Sequence, residues 1–158
     1  MAMVAEEIIH FFKKQGFAIV STLNSDGSIH TACKGVLKIT PEGQIYLVDL
    51  YMGRTYQNLR KNGVISIAAA DEHTFSGFSL KGKAGIVPRD KLKPEILRAW
   101  DALIVSRLTR RLLKNIREEK GHPAHPEALL PSPKYMIMME VKEVIDLTPQ
   151  AFKAKCLI

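Results

Sequence analysis

The sequence predicts an α+β protein, mainly β, in which a small antiparallel barrel carries flanking helices. Three observations support that expectation. Five to seven strand-like runs follow one another with tight turns between them, as in small antiparallel barrels. Helical signals are few: one at the start, one inside the β series, and one long charged stretch late in the chain. The 158 residues, 46% of them hydrophobic, are enough for one domain around one core. The expected organisation is a single domain over 1–158, with a helical and loop insertion at about 88–133.

The elements follow in order. Val4 to Gln15 is amphipathic, with Val4, Ile8, Phe11 and Phe12 on one face and Gly16 as a stop. Phe17 to Leu23 forms a strand, Asn24-Ser25-Asp26-Gly27 a hairpin turn, and Ser28 to Cys33 pairs back. Gly35 to Thr40 continues as strand, Pro41-Glu42-Gly43 turns, and Gln44 to Asp49 returns. Val64 to Ala70 is apolar except for Ser66, which predicts a strand buried on both faces. Asp71 to Ser76 is loop-like and Gly77 to Val87 is a strand. Pro88 to Glu119 is helical, with Leu92, Ile96, Trp100, Leu103 and Ile104 on one face. Gly121 to Pro133 is a loop, and Tyr135 to Val144 closes the series with alternating apolar positions.

The most informative stretch is Asp49-Leu50-Tyr51-Met52-Gly53-Arg54-Thr55-Tyr56-Gln57-Asn58-Leu59. A strand delivers the chain to a turn at Gly53, and a short helix opens on Arg54 and Thr55. The first N–H groups of a helix have no internal partner and carry the positive end of its dipole, which suits a phosphate. Arg54 adds a planar fork for two phosphate oxygens, Thr55 adds a hydroxyl, and Gly53 lets the backbone come close.

Composition narrows the function classes. The net charge of +7 attracts anions of any kind, and Arg107, Arg110, Arg111, Lys114 and Arg117 concentrate it at helical spacing. That pattern predicts a solvated helix face. It lacks the interleaved aromatics that nucleic-acid binding uses, so no nucleic-acid partner is expected. No apolar run approaches the roughly 20 residues that cross a bilayer, so no membrane association is expected. The two cysteines, Cys33 and Cys156, form no disulfide framework, which suits a reducing cytoplasm. No secretory leader is expected at the N-terminus.

An ordered series of motifs resembles the FMN-binding split barrels related to pyridoxamine 5′-phosphate oxidase, especially their small FMN-binding members. The series runs from Phe17-Ala18-Ile19-Val20-Ser21-Thr22 and the Asp26-Gly27 turn to Lys34-Gly35-Val36-Leu37-Lys38 and Tyr46-Leu47-Val48-Asp49. It continues with Arg54-Thr55-Tyr56-Gln57-Asn58-Leu59 and Leu80-Lys81-Gly82-Lys83-Ala84. The resemblance implies an antiparallel split β-barrel with an inserted helical arm, forming a homodimer with FMN at the subunit interface. It implies that Arg54 and Thr55 hold the phosphate with the backbone of Met52 and Gly53, and that Asn58 belongs to the same cofactor-binding set. It places Ala32, Cys33, Lys34, Gly35 and Val36 along the isoalloxazine edge, and Val48 and Asp49 beside the ribityl chain. Lys34 would put a cation near the flavin N1–C2=O region, or else point to solvent. The family oxidases carry an Arg-x-His pattern near the C-terminus, and Met136-Ile137-Met138-Met139-Glu140-Val141-Lys142 lacks it, which argues against pyridoxamine phosphate oxidation.

Other residues carry weaker signals. Trp100 reads as a core or interface residue, with stacking near the partner's flavin as the sharper alternative. Cys33 reads as buried and inert. His122, His125 and Glu127 fit a surface loop better than a metal site. His10, His30 and His73 show no triad-like pairing, and there is no P-loop, dinucleotide fingerprint or zinc-protease motif, so no catalytic side chain and no metal is expected. The leading function is an FMN-dependent oxidoreductase acting on a small molecule or a reduced nicotinamide. The alternative is a non-catalytic FMN carrier or electron-transfer protein whose basic arm docks an acidic redox partner. Haem or a deazaflavin in the same barrel is a third reading, and no histidine or cysteine stands out as an axial haem ligand.

Overall fold

Alternating apolar residues in the strand runs build the wall of the protein. A computed structural model describes residues 2–117 and 132–153. The elements are α1 (Glu6–Gln15), β1 (Phe17–Leu23), β2 (Ile29–Ile39), β3 (Gln44–Val48), α2 (Arg54–Lys61), β4 (Val64–Asp71), β5 (Ser76–Pro88), α3 (Pro94–Ile116), β6 (Tyr135–Asp146) and α4 (Gln150–Lys153). The six strands close an antiparallel barrel in the order β1-β2-β3-β6-β5-β4, with β4 returning to β1. Closure leaves no long open sheet edge except where one strand outruns its neighbour. Cys156, His122, His125 and Glu127 lie outside the described residues, as does the part of the arm after residue 117 that precedes residue 132.

Inward side chains from all the strands, including Val20, Ile45, Ile65, Ile67, Leu80, Ile137, Met139 and Val141, fill the barrel. Helix α1 closes one end with Ile8, Ile9 and Phe12, and Phe11 meets Phe78 edge-on at 5.2 Å. Gly16 ends α1 at φ 75°, a left-handed conformation that glycine adopts without a Cβ clash. A second cluster packs α3 onto the outside of the wall: Leu92, Ile96 and Trp100 against Tyr46 and Met136. Trp100 is thus a core residue of its own chain, 6% exposed.

Several expectations are corrected. The runs Ser28 to Cys33 and Gly35 to Thr40 are one strand, because Gly35 is laddered to Phe17 on one side and Val48 on the other. Strand β4 is not buried on both faces. Ile65, Ile67 and Ala69 point inward, while Val64 and Ala70 are exposed on the outer face of the single chain. Cys33 is exposed, on the outward phase of β2. Helix α4 had no periodic signal, being only one turn long. Among the described residues no helix is long and apolar enough to cross a membrane.

The glycine of Leu80-Lys81-Gly82-Lys83-Ala84 has a structural cause. The β5–β6 register shifts between Lys81 and Gly82, and a Cβ built at Gly82 would overlap the Glu140 carbonyl oxygen. Gly82→Ala is therefore expected to cost at least ~2 kcal/mol of unfolding free energy, since backbone must move to relieve the clash. Denaturant titration measures this; an unchanged midpoint would show that the bulge tolerates a side chain.

Candidate functional site

Strand β3 ends at Val48, and the chain leaves the barrel wall through Asp49 to Gly53 before coiling into α2. Met52 sits at φ 49°, an uncommon left-handed conformation for a residue with a side chain. Gly53 is extended and offers no side-chain cap, and the first turn of α2 contains no acidic residue. The Gln57 N–H bonds the Gly53 carbonyl at 3.1 Å. Helix geometry therefore leaves the N–H groups of Arg54, Thr55 and Tyr56 without helical acceptors. Beside them, Thr55 Oγ1 is buried with no hydrogen-bond partner, the one such side-chain atom identified among the described residues. Buried polar atoms are rarely left unpaired, and the donors gathered here have the polarity that suits an anion.

Arg54 is exposed at the mouth of the seat. With Asn24, Ser25, Asp26 and His30 it lines an open cleft of about 460 Å³. The Ser28 hydroxyl and N–H, at 2.6 and 2.9 Å, hold the Asp26 carboxyl below the usual carboxylate range, and the nearby Arg54 charge adds to this. Helix α2 is fixed from beneath. Asn58 Nδ2 donates to Thr22 Oγ1 at 3.1 Å and to Asn24 Oδ1 at 3.0 Å, and Leu59 packs into the barrel. Asn58, expected in the cofactor set, spends its amide nitrogen on anchoring this helix.

The expected flavin-edge strand is split in character. Strand β3 pairs with β2 only from Gly35 onward, so Ala32, Cys33 and Lys34 are laddered to β1 on one side and to no strand on the other. Gly35 and Val36 are paired with β3, Gly35 opposite Val48. Lys34 does not point to solvent: its Nζ lies 2.6 Å from Asp49 Oδ1, with the two side chains 13% and 1% exposed. Asp49 Oδ2 accepts the Tyr135 hydroxyl at 2.8 Å, and that hydroxyl accepts the Met52 N–H at 3.0 Å. The structure thus joins Lys34, Asp49, Met52, Gly53, Arg54 and Thr55 into one neighbourhood.

Two residues escaped the sequence reading. The sequence marks Tyr135 only as the start of the last strand, and nothing in its spacing links it to a turn more than eighty residues away. The charge pattern predicts Arg107 on a solvated face. Its guanidinium instead donates to the Gly16 carbonyl at 2.9 Å and lies where a side chain at Gly35 would reach, 3.4 Å from a built Cβ. The signal was available: Arg107 continues the stripe of Ile96, Trp100 and Leu103 at helical spacing. Arg110, Lys114 and Arg117 remain exposed. Among the described residues no group of three or more His, Cys, Asp and Glu could hold a metal ion.

The fold is a closed antiparallel barrel with an uncapped, cation-flanked helix start at its rim. The sequence model of the pyridoxamine 5′-phosphate oxidase family matches residues 4–130, and the chain belongs to that family. No curated protein matches the sequence. Among solved structures, HupZ of Group A Streptococcus is similar at TM-score 0.62 and 18% identity, covering 92% of this chain and 95% of its own. An FMN-binding protein from Syntrophomonas wolfei superposes at TM-score 0.59 and 11% identity, covering 90% and 86%. HutZ, the heme storage protein from Vibrio cholerae, superposes at TM-score 0.54 and 16% identity, covering 91% and 94%. At these identities the likeness shows the shared barrel.

Burial, then the hydrogen bond to Asp49 and its charge, raise the Tyr135 phenol well above its ordinary value of 10.0. The sign follows. Above pH 10 the unfolded chain loses a proton that the native chain keeps, so alkali favours unfolding, and this contribution is fully present below 10. Tyr135→Phe is expected to show a shallower loss of stability between pH 9 and 11 than the parent, in guanidinium titrations across that range. Parallel slopes would mean that the phenol titrates normally.

Proposed function

We propose that this protein is an FMN-binding flavoprotein, probing its cofactor chiefly through the phosphate. The observation that carries this reading is the unpartnered Thr55 hydroxyl at the uncapped start of α2, with Arg54 at its mouth. A phosphate monoester supplies the acceptors that these donors lack. Membership of the pyridoxamine 5′-phosphate oxidase family and the shared barrel of an FMN-binding protein support the flavin. A heme storage protein has the same barrel, and the phosphate-type seat is what favours FMN over haem.

In this reading Arg54, Thr55 and the N–H groups after Gly53 grip the phosphate. Asp49 and Val48 border the ribityl chain, and the unladdered edge at Ala32 to Lys34 offers backbone groups to the ring. Bound flavin supplies hydride transfer at N5 and onward electron delivery. The chain supplies position, exclusion of water and charge, consistent with an oxidoreductase acting on a small molecule or a reduced nicotinamide. A carrier role toward an acidic protein is favoured by one observation, the exposed Arg110, Lys114 and Arg117 on α3. The proposed assembly is a homodimer. Phe17, Ile19, Ile29 and Val64 leave apolar surface on the adjoining strands β4, β1 and β2, and Val105, Leu112 and Ile116 form an exposed ridge on α3.

Arg54→Ala is expected to weaken FMN binding by roughly tenfold or more, since a charge-assisted bond contributes about 1.5–3 kcal/mol. Fluorescence quenching of FMN by apoprotein measures it, with absorbance of the purified protein showing whether oxidised flavin is carried. Unchanged affinity would remove the phosphate assignment. For the assembly, the parent is expected to sediment as a dimer and Ile19→Lys to shift toward monomer without loss of helix or strand signal. A monomeric parent at micromolar concentration would rule the dimer out.

A further inference from the structure

The turn that presents the seat is held in an uncommon conformation by something other than its own packing. Met52 occupies φ 49° while the residue is 46% exposed, so burial of its side chain does not explain the left-handed backbone. Such conformations persist where the surroundings over-determine them. Here the surroundings are Tyr135. Its hydroxyl has one proton to give and lone pairs to accept with. It gives the proton to Asp49 Oδ2 and accepts the Met52 N–H. Its ring, in a residue 4% exposed, stacks at a tilt on Tyr56, centroids 4.8 Å apart. Met52 precedes Gly53 and Tyr56 stands in the first turn of α2, so one side chain grips the seat from both ends.

The grip is anchored. Asp49 is buried and its other oxygen is held by Lys34 at 2.6 Å, so the carboxylate cannot swing away from Tyr135 without leaving an ammonium unpaired. The result is a chain of contacts from β2 through Lys34, Asp49 and Tyr135 to the Met52 amide. None of these polar groups is needed as a ligand for an anion, because the N–H groups of Arg54, Thr55 and Tyr56 lie on the next turn.

We propose that Tyr135, locked by Asp49 and Lys34, is a positioning residue that presets the Met52–Gly53 turn for the phosphate group and so sets the preference for a phosphorylated flavin over an unphosphorylated one. The inference rests on the FMN reading and adds to it a residue that touches no cofactor. Presetting matters because a turn that must be ordered on binding subtracts its ordering cost from affinity.

The test compares FMN with riboflavin, which lacks the phosphate, by fluorescence quenching against apoprotein of the parent, Tyr135→Phe and Ile96→Val, a core control outside the seat. Tyr135→Phe is expected to raise the FMN dissociation constant about fivefold, the effect of one ordinary hydrogen bond, while riboflavin changes less than twofold. Ile96→Val is expected to leave the ratio of the two constants unchanged. Equal weakening of both ligands, or no change in either, overturns the positioning role while leaving the FMN reading intact. A parent protein that binds FMN no better than riboflavin overturns both. Should Tyr135→Phe fail to fold, hydrogen exchange on the parent decides. The Met52 amide is expected to be protected in the apoprotein, and an amide protected only after FMN is added overturns the preset turn.

Discussion

The structure around the seat depends on one buried carboxylate. Asp49 stands where β3 ends, almost wholly out of water, between the Lys34 ammonium and the Tyr135 hydroxyl. An unpaired carboxylate there would be costly, so its two oxygens dictate where β2 and the start of β6 must lie relative to the turn. Such a pair contributes little net stability, because desolvation offsets most of the attraction. Its value is geometric: two strands and a turn, distant in sequence, share a single polar junction that is satisfied in only one arrangement.

That junction also separates the residues that build the seat from those that would occupy its surface. Asn58 and Gly82 belong to the motifs that carry the family resemblance, yet both have sufficient structural reasons. Asn58 ties α2 to Thr22 and Asn24, and Gly82 lets the β5 bulge pass the Glu140 carbonyl. Arg54 and Thr55 have no comparable duty. Arg54 is exposed and Thr55 Oγ1 lacks a partner, which is the pattern of groups kept for a ligand.

The barrel was legible because turns and alternation are local signals. Gly16, the Asp26-Gly27 turn and Pro41-Glu42-Gly43 punctuate the strands, and β1 falls where the apolar run predicts. The face of β4 was misjudged because Val, Ile and Ala runs look the same whether one side or both are covered. The seat itself was legible as a strand, a turn and an uncapped helix start. Its support was not: the Asp49–Tyr135 bond spans most of the chain, and pairing at that distance leaves no trace in spacing. Arg107 was lost for a different reason. Its charge predicts a solvated position, although the stripe of Ile96, Trp100 and Leu103 leads directly to it.

Charge near the seat then follows from who is already paired. The family resemblance leaves Lys34 either as a cation near the flavin ring or turned to solvent; it instead forms an ion pair with Asp49, so the two together present a dipole with no net charge. Arg107 is fixed on the Gly16 carbonyl. Among the described residues, the charges at the start of α2 are the Arg54 guanidinium, moderated by Asp26 nearby, and the partial positive end of the helix. Those two act at the same place, the first turn of the helix, and fall off within about a turn of it. In the proposed FMN reading this pull acts on the phosphate end of the cofactor, which leaves the ring end to backbone edge and shape.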